Sequence, residues 1–141
     1  MDNLNQKQGC LFCGIARGDI PSYKLFEDGE FVVILDRFPS APGHALVIPK
    51  AHADSVFDCD AEGAARMYRL AVKTARAVKS TLNADGVNIL TNTGAAAGQT
   101  VLHLHTHIIP RFSGDTVDIR WKAQNPDDKT LEDLAKTIVL E

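Results

Sequence analysis

No run in this sequence approaches the roughly 18 consecutive apolar residues that a membrane-spanning helix requires. The stretch from Met1 to Gln8 is polar and lacks the apolar block of a secretory leader, so the expected compartment is the cytoplasm. Positive charge is not in surplus either. Fifteen basic residues against eighteen acidic ones leave a net charge of −3, and neither nucleic acid nor an anionic membrane surface is gripped without a dense basic patch. Any small anionic ligand must therefore be held locally. Cysteine is scarce: three residues, an odd number, do not make a disulfide framework. No internal repeat and no low-complexity tract interrupts the chain. The rest is ordinary: 141 residues, 45% hydrophobic and 23% charged, suit one globular domain around one core.

Residues 1–9 are polar, with little to tie them down. Leu11 to Arg17 suits a short helix that Gly18 ends and Pro21 keeps from continuing. Tyr23 to Phe26 and Phe31 to Leu35 are apolar runs around Glu27-Asp28-Gly29-Glu30, which predicts a hairpin with Asp-Gly turn chemistry. Asp36 to Gly43 reads as a loop and Ala45 to Ile48 as a third strand. Asp60 can cap a helix over residues 61–82, where Ala64, Tyr68, Ala71, Ala75, Val78 and Leu82 recur at steps of four and three. Val87 to Leu90 reads as a fourth strand, Thr93 to Gly98 as a loop of small residues, and Val101 to Ile109 as a fifth strand. Thr130 to Leu140 suggests a tail helix capped by Thr130. The pattern predicts an α+β meander, not a doubly wound parallel sheet.

The run His103-Leu104-His105-Thr106-His107 carries the chemistry. On an extended strand, side chains alternate faces, so the three imidazoles share one side while Leu102, Leu104, Thr106 and Ile108 take the other. Imidazoles fill a core badly, because each ring nitrogen needs a partner. Two chemistries compete. Alternate histidines can bind a catalytic zinc with a position left open for water. Alternatively, one imidazole is a nucleophile while its neighbours donate hydrogen bonds to phosphate oxygens. The flanking Gly94 to Gly98, Gln99 and Thr100 offer backbone amides, an amide side chain and a hydroxyl, which suit anionic oxygens.

The segment Gly98-Gln99-Thr100-Val101-Leu102-His103-Leu104-His105-Thr106-His107-Ile108-Ile109 resembles the signature of the histidine triad (HIT) superfamily, His-φ-His-φ-His-φ-φ. Upstream, DRFPSAPGHALVIPK, Asp36 to Lys50, resembles the family's other recognisable stretch. The similarity spans about residues 10–115, which leaves 116–141 as an extension of a single 1–141 domain. The resemblance implies a HIT-like α+β fold: a five-stranded antiparallel sheet, one long helix, a short N-terminal helix and a tail helix, paired into a homodimer. It implies that His105 is the nucleophile of a nucleotidyl-histidine intermediate, with His103, His107 and His44 flanking it or touching phosphate. Asn92, Gly98, Gln99 and Thr100 match the phosphate surroundings, Asp36 the carboxylate that binds ribose hydroxyls, and Ile20 a wall of the purine pocket. Arg37 departs from the apolar residue often found beside that aspartate, which bears on base preference.

The implied reaction is hydrolysis or transfer at the α-phosphate of purine nucleotide conjugates such as adenosine phosphoramidates or aminoacyl adenylates, with no cofactor in the chemical step. Pro110-Arg111 and Gly114-Asp115 are similar to a dinucleoside polyphosphate branch, so hydrolysis of those compounds is one alternative. A nucleotide-binding sensor or scaffold is another, and a zinc-dependent hydrolase a third.

Cys10 and Cys13 form a Cys-x-x-Cys pair that can be half a zinc site, a redox pair or two small apolar residues. A redox motif would sit in a βαβ unit, and none surrounds it. A closed zinc site needs two further ligands. His52 has no part in the phosphate chemistry and can supply one. Similarity to bacterial members with the same opening implies a structural zinc held by Cys10, Cys13, His52 and His103. Trp121 reads as a core residue or a tail group that meets a partner.

Overall fold

A computed structural model describes residues 5–140. Its order is α1 (Leu11–Arg17), β1 (Lys24–Glu27), β2 (Phe31–Leu35), β3 (Ala45–Pro49), α2 (Ala61–Leu82), β4 (Gly86–Leu90), β5 (Thr106–Arg111) and α3 (Asp128–Thr137), with a 3₁₀ turn at Ala95–Ala97 before β5. The strands form one antiparallel sheet in the order β1-β2-β3-β5-β4. It is therefore not a simple meander: α2 carries the chain across, and β5 returns between β3 and β4.

Both faces of the sheet are covered, which explains the unbroken apolar run Phe31 to Ile34. Phe31 and Val33 of β2, Ala45 and Val47 of β3, and Ile108 of β5 pack beneath Met67, Ala71 and Val78 of α2. The alternate residues Val32, Ile34, Leu46 and Ile48 pack against Phe12 and Ile15 of α1. Strand alternation decides which residue goes where. Fully buried side chains such as Val47 and Ile108 each contribute about 2 kcal/mol.

Asp60 caps α2 as its sequence implies, accepting from the Gly63 N–H, and Asn83 ends it in the left-handed region at φ 52°. The buried stripe, however, is Met67, Ala71, Thr74 and Val78, while Tyr68 and Leu82 lie largely in solvent. The expected stripe was rotated because alanines, apolar but small, do not fix the phase of a helix against a sheet. In the hairpin, Asp28 Oδ1 accepts from the N–H groups of Glu30 and Phe31. Gly29 is absent from the positive-φ glycines among the described residues, so the turn rests on the Asp28 carboxylate and not on an Asp-Gly backbone. The tail helix starts earlier than expected, capped by the Asp127 side chain, which accepts from Thr130 N–H. Leu131, Leu134, Ile138 and Trp121 are all exposed.

The largest departure concerns the histidine segment. The fifth strand begins at Thr106, not Val101, and runs to Arg111. Residues 101–105 are irregular because their backbone groups are engaged elsewhere. The Leu104 N–H donates to Ala53 O, the His103 N–H to Val101 O, and the His103 carbonyl accepts from the His105 ring. Alternation nevertheless survives: Leu104 and Ile108 enter the core under α2, while His107 pairs across from Leu46 on the opposite face. Leu102 breaks it, at 60% exposure.

Gly43 is required where it stands. Its φ is +88°, and a Cβ there would overlap the Leu82 side chain. That close approach brings His44 to the start of β3.

Candidate active site

All five histidines of the chain gather in two adjoining clusters. The first joins His44, His105 and His107. His105 donates from Nδ1 to the His103 carbonyl at 2.7 Å, which leaves Nε2 with a free lone pair. His44 Nδ1 accepts from the Ser40 backbone N–H at 3.1 Å, so its Nε2 carries the proton and donates to His107 Nδ1 at 2.9 Å. His107 must then carry its proton on Nε2. The His105 and His107 rings lie with centroids 4.9 Å apart. One ring presents a lone pair and its neighbour a donor.

Burial keeps both rings neutral. It lowers the pKa of His107 to about 4, with His105 and His44 nearby acting in the same direction. It also pushes His105 down, opposed by the hydrogen bond to the His103 carbonyl. His44 is lowered too, again chiefly by burial and against the pull of Asp36. An unprotonated imidazole near pH 7 is a competent nucleophile.

These rings form one end of a cavity of about 700 Å³, a size suited to a small-molecule ligand. Phe12, Ile15, Ile20, Ile34 and Leu46 make its apolar wall, and Asp36, Thr100, His105 and His107 its polar side. Asp36 is anchored: its Oδ1 accepts from Phe38 N–H at 2.9 Å, and Oδ2 lies 3.5 Å from His44 Nε2. Arg37 and Phe38 stand at the exposed rim.

The expected phosphate residues divide. Thr100 lines the cavity, whereas Asn92, Gly98 and Gln99 are not part of its lining. The Gln99 amide is spent on backbone, accepting from Gly94 N–H and donating to Asp54 O and Val101 O. Asn92 donates to Gly98 O. Together they brace the loop that presents Thr100.

Phe12 was not foreseen. It meets the His105 ring edge-on at 4.9 Å and the His103 ring at 5.9 Å. Its position inside Cys10-Leu11-Phe12-Cys13 was the available signal, since the turn of helix that joins the cysteines aims it at the sheet. Ser40, which sets the His44 tautomer, carries no pattern that sequence alone reveals.

The second cluster is Cys10, Cys13, His52 and His103, whose ligand atoms lie within 4.8 Å of one another. Sγ and Nδ1 atoms are separated by 3.4, 3.4 and 3.5 Å, and the two Nδ1 atoms by 3.2 Å. A tetrahedral zinc with Zn–S of about 2.3 Å and Zn–N of about 2.0 Å sets edges of roughly 3.3 to 3.8 Å. The donor set fits that ion. His52 Nε2 faces Asp54 Oδ1 and His103 Nε2 faces Pro49 O, each at 2.7 Å, so both Nδ1 lone pairs point inward. Cys13 Sγ also accepts from Lys7 N–H, and Cys10 Sγ from Cys13 N–H. Burial raises the Cys13 thiol pKa, an effect a bound cation reverses.

The triad does not converge on one metal. His103 faces the cysteines, and His105 spends Nδ1 on a carbonyl. Asp36, His44 and His107 also come together, but their two rings are joined directly by the 2.9 Å hydrogen bond.

The chain belongs to the HIT domain family, whose sequence model matches residues 17–114. It is similar to Protein hit of Bacillus subtilis, 42% identical across 90% of this chain and 88% of that one. It also resembles Adenylylsulfatase HINT3 of Arabidopsis thaliana, 41% identical across 89% of this chain and 62% of the relative. Among solved structures, SMU.412c from Streptococcus mutans superposes with a TM-score of 0.90 at 41% identity, over 94% of this chain and 85% of that one. A Zn-bound histidine triad family protein from Mycobacterium smegmatis gives 0.75 at 39% identity, over 92% and 98%. A histidine triad nucleotide-binding protein from Candida albicans gives 0.83 at 32% identity, over 92% and 94%. The fold is that of the HIT proteins.

Proposed function

We propose that this protein is a nucleotide hydrolase or transferase acting at the α-phosphate of purine nucleotide conjugates through His105. The observation that carries the proposal is the His105 ring, fixed through Nδ1 by the His103 carbonyl and lining a cavity of about 700 Å³. Nε2 attacks phosphorus, and the bond from phosphorus to the leaving atom breaks with its electron pair going to that atom; a departing amine takes one proton from solvent, whereas a carboxylate leaves without one. Water then attacks the phosphorus, the P–N bond breaks, and its electron pair returns to Nε2. The water proton leaves to solvent. Splitting the displacement lowers each barrier. The His107 Nε2–H and the Thr100 hydroxyl donate to the phosphoryl oxygens, where charge builds. Asp36 accepts from the ribose hydroxyls, and Ile20 and Ile15 flank the purine.

Zinc held by Cys10, Cys13, His52 and His103 would serve as a staple, tying the N-terminal segment to the histidine segment. Thiols used as metal ligands suit the reducing cytoplasm. Two copies would pair into a homodimer along the edge strand β4, with the exposed apolar tail across the junction.

The decisive experiment is to react the protein with a slow adenosine phosphoramidate, quench, and map the adenylylated residue by mass spectrometry. Modification of His105 supports the proposal. Turnover unchanged in His105→Ala defeats it.

A further inference from the structure

A second cavity, of about 470 Å³, adjoins the first and shares Leu11, Thr100 and Val101 with it. Its far side is the turn Lys7 to Cys10. The Cys10 N–H donates to Lys7 O at 3.3 Å, and Gly9 takes φ +80° at the third position, the geometry of a type II turn. The Lys7 N–H donates to Cys13 Sγ. Both ends of the turn are thus pinned to the cysteine pair, and the exposed Lys7 lines the same groove as Thr100. The described lining residues include one cation, Lys7, and no carboxylate, in a chain whose net charge is −3.

We propose that this groove is the leaving-group subsite, and that it takes a group departing as an anion, such as a sulfate or a carboxylate, paired with the Lys7 ammonium. The inference rests on the main cavity being the nucleotide site. In-line displacement puts nucleophile and leaving atom on opposite sides of phosphorus. A phosphate at the wall the two cavities share has its nucleoside in one and its leaving group in the other. With adenylyl sulfate, His105 Nε2 forms the bond to phosphorus, the P–O bond to sulfate breaks, and the electron pair stays on that oxygen. Sulfate leaves without needing a proton, and what it gains from the protein is a counter-charge. An amine leaving group needs a proton instead, and a counter-charge alone does not supply what its departure requires.

The test compares two substrates on the same preparations: adenylyl sulfate and adenosine 5′-phosphoramidate. In Lys7→Glu the ratio of their kcat/KM values, sulfate over amidate, falls at least about tenfold, as expected for reversing one charge beside an anion. Lys7→Arg keeps the ratio within about twofold. An unchanged ratio in Lys7→Glu overturns the proposal. A second arm measures binding of adenylyl sulfate by calorimetry to His105→Ala and to His105→Ala/Lys7→Glu. Weaker binding in the double variant supports the subsite, and equal binding overturns it. This arm reads binding and not turnover, so its failure counts against Lys7 alone, whereas full turnover retained in His105→Ala counts against the proposed function.

Discussion

The proposed mechanism gives single residues separable tasks. On it, His105→Ala removes the attacking nitrogen, and turnover of an adenosine phosphoramidate should fall by at least about 10³-fold in a stopped assay. His107 tests the electrostatics. Its folded pKa, about 4, lies below the ordinary 6.5, so the unfolded chain binds this proton first as pH falls. The stability it contributes is present above pH 6.5 and lost as pH drops toward 4. Urea unfolding across that window should show a shallower decline in His107→Asn than in the native protein, since asparagine has no such proton to gain. That the three imidazoles act together was legible from their spacing, because alternate imidazoles are a poor use of a strand, but the spacing left two chemistries open and only the resemblance gave each ring a part. Gln99 and Asn92 were harder to place. An amide that serves backbone and one that serves phosphate look identical in a sequence.

Elements set the precision of the site. The α2 start, the β2–β3 core and the α1 stop were readable because caps and apolar runs are local signals. The start of β5 was not, since Ala53 and His52 compete for residues 102–104 from fifty positions away, and no window sees that. Gly43→Ala tests the joint between α2 and β3. The left-handed backbone and the overlap with Leu82 should cost at least about 2 kcal/mol in urea unfolding, with a matching loss of activity through displaced His44. The cysteine helix gives a further prediction. A strong chelator should lower the melting temperature of the native protein by several degrees and leave Cys10→Ser/Cys13→Ser unchanged, if zinc is the staple. Calorimetry with and without chelator decides it.

At the scale of the molecule, the sheet ends in β4, an edge with open hydrogen-bonding groups, and the tail ends in exposed Leu131, Leu134 and Ile138. Open edges and exposed apolar stripes are costly for a lone chain. Sedimentation equilibrium should report a dimer, and truncation after residue 115 should weaken it. Among the described residues, no helix is long and apolar enough to cross a membrane. The five-strand composition was readable from the runs between turns. The return of β5 between β3 and β4 was not, because pairing order depends on which faces remain to be covered once α2 has crossed.

His103 turns its Nδ1 to the two cysteines and its Nε2 to the Pro49 carbonyl, while its own carbonyl holds the His105 imidazole. A single residue therefore touches both the two thiols, about ninety residues upstream, and the ring whose free nitrogen would address phosphorus. Thiol chemistry at the amino end, whether oxidation or alkylation, would be felt as misalignment at the far side before it was felt as unfolding.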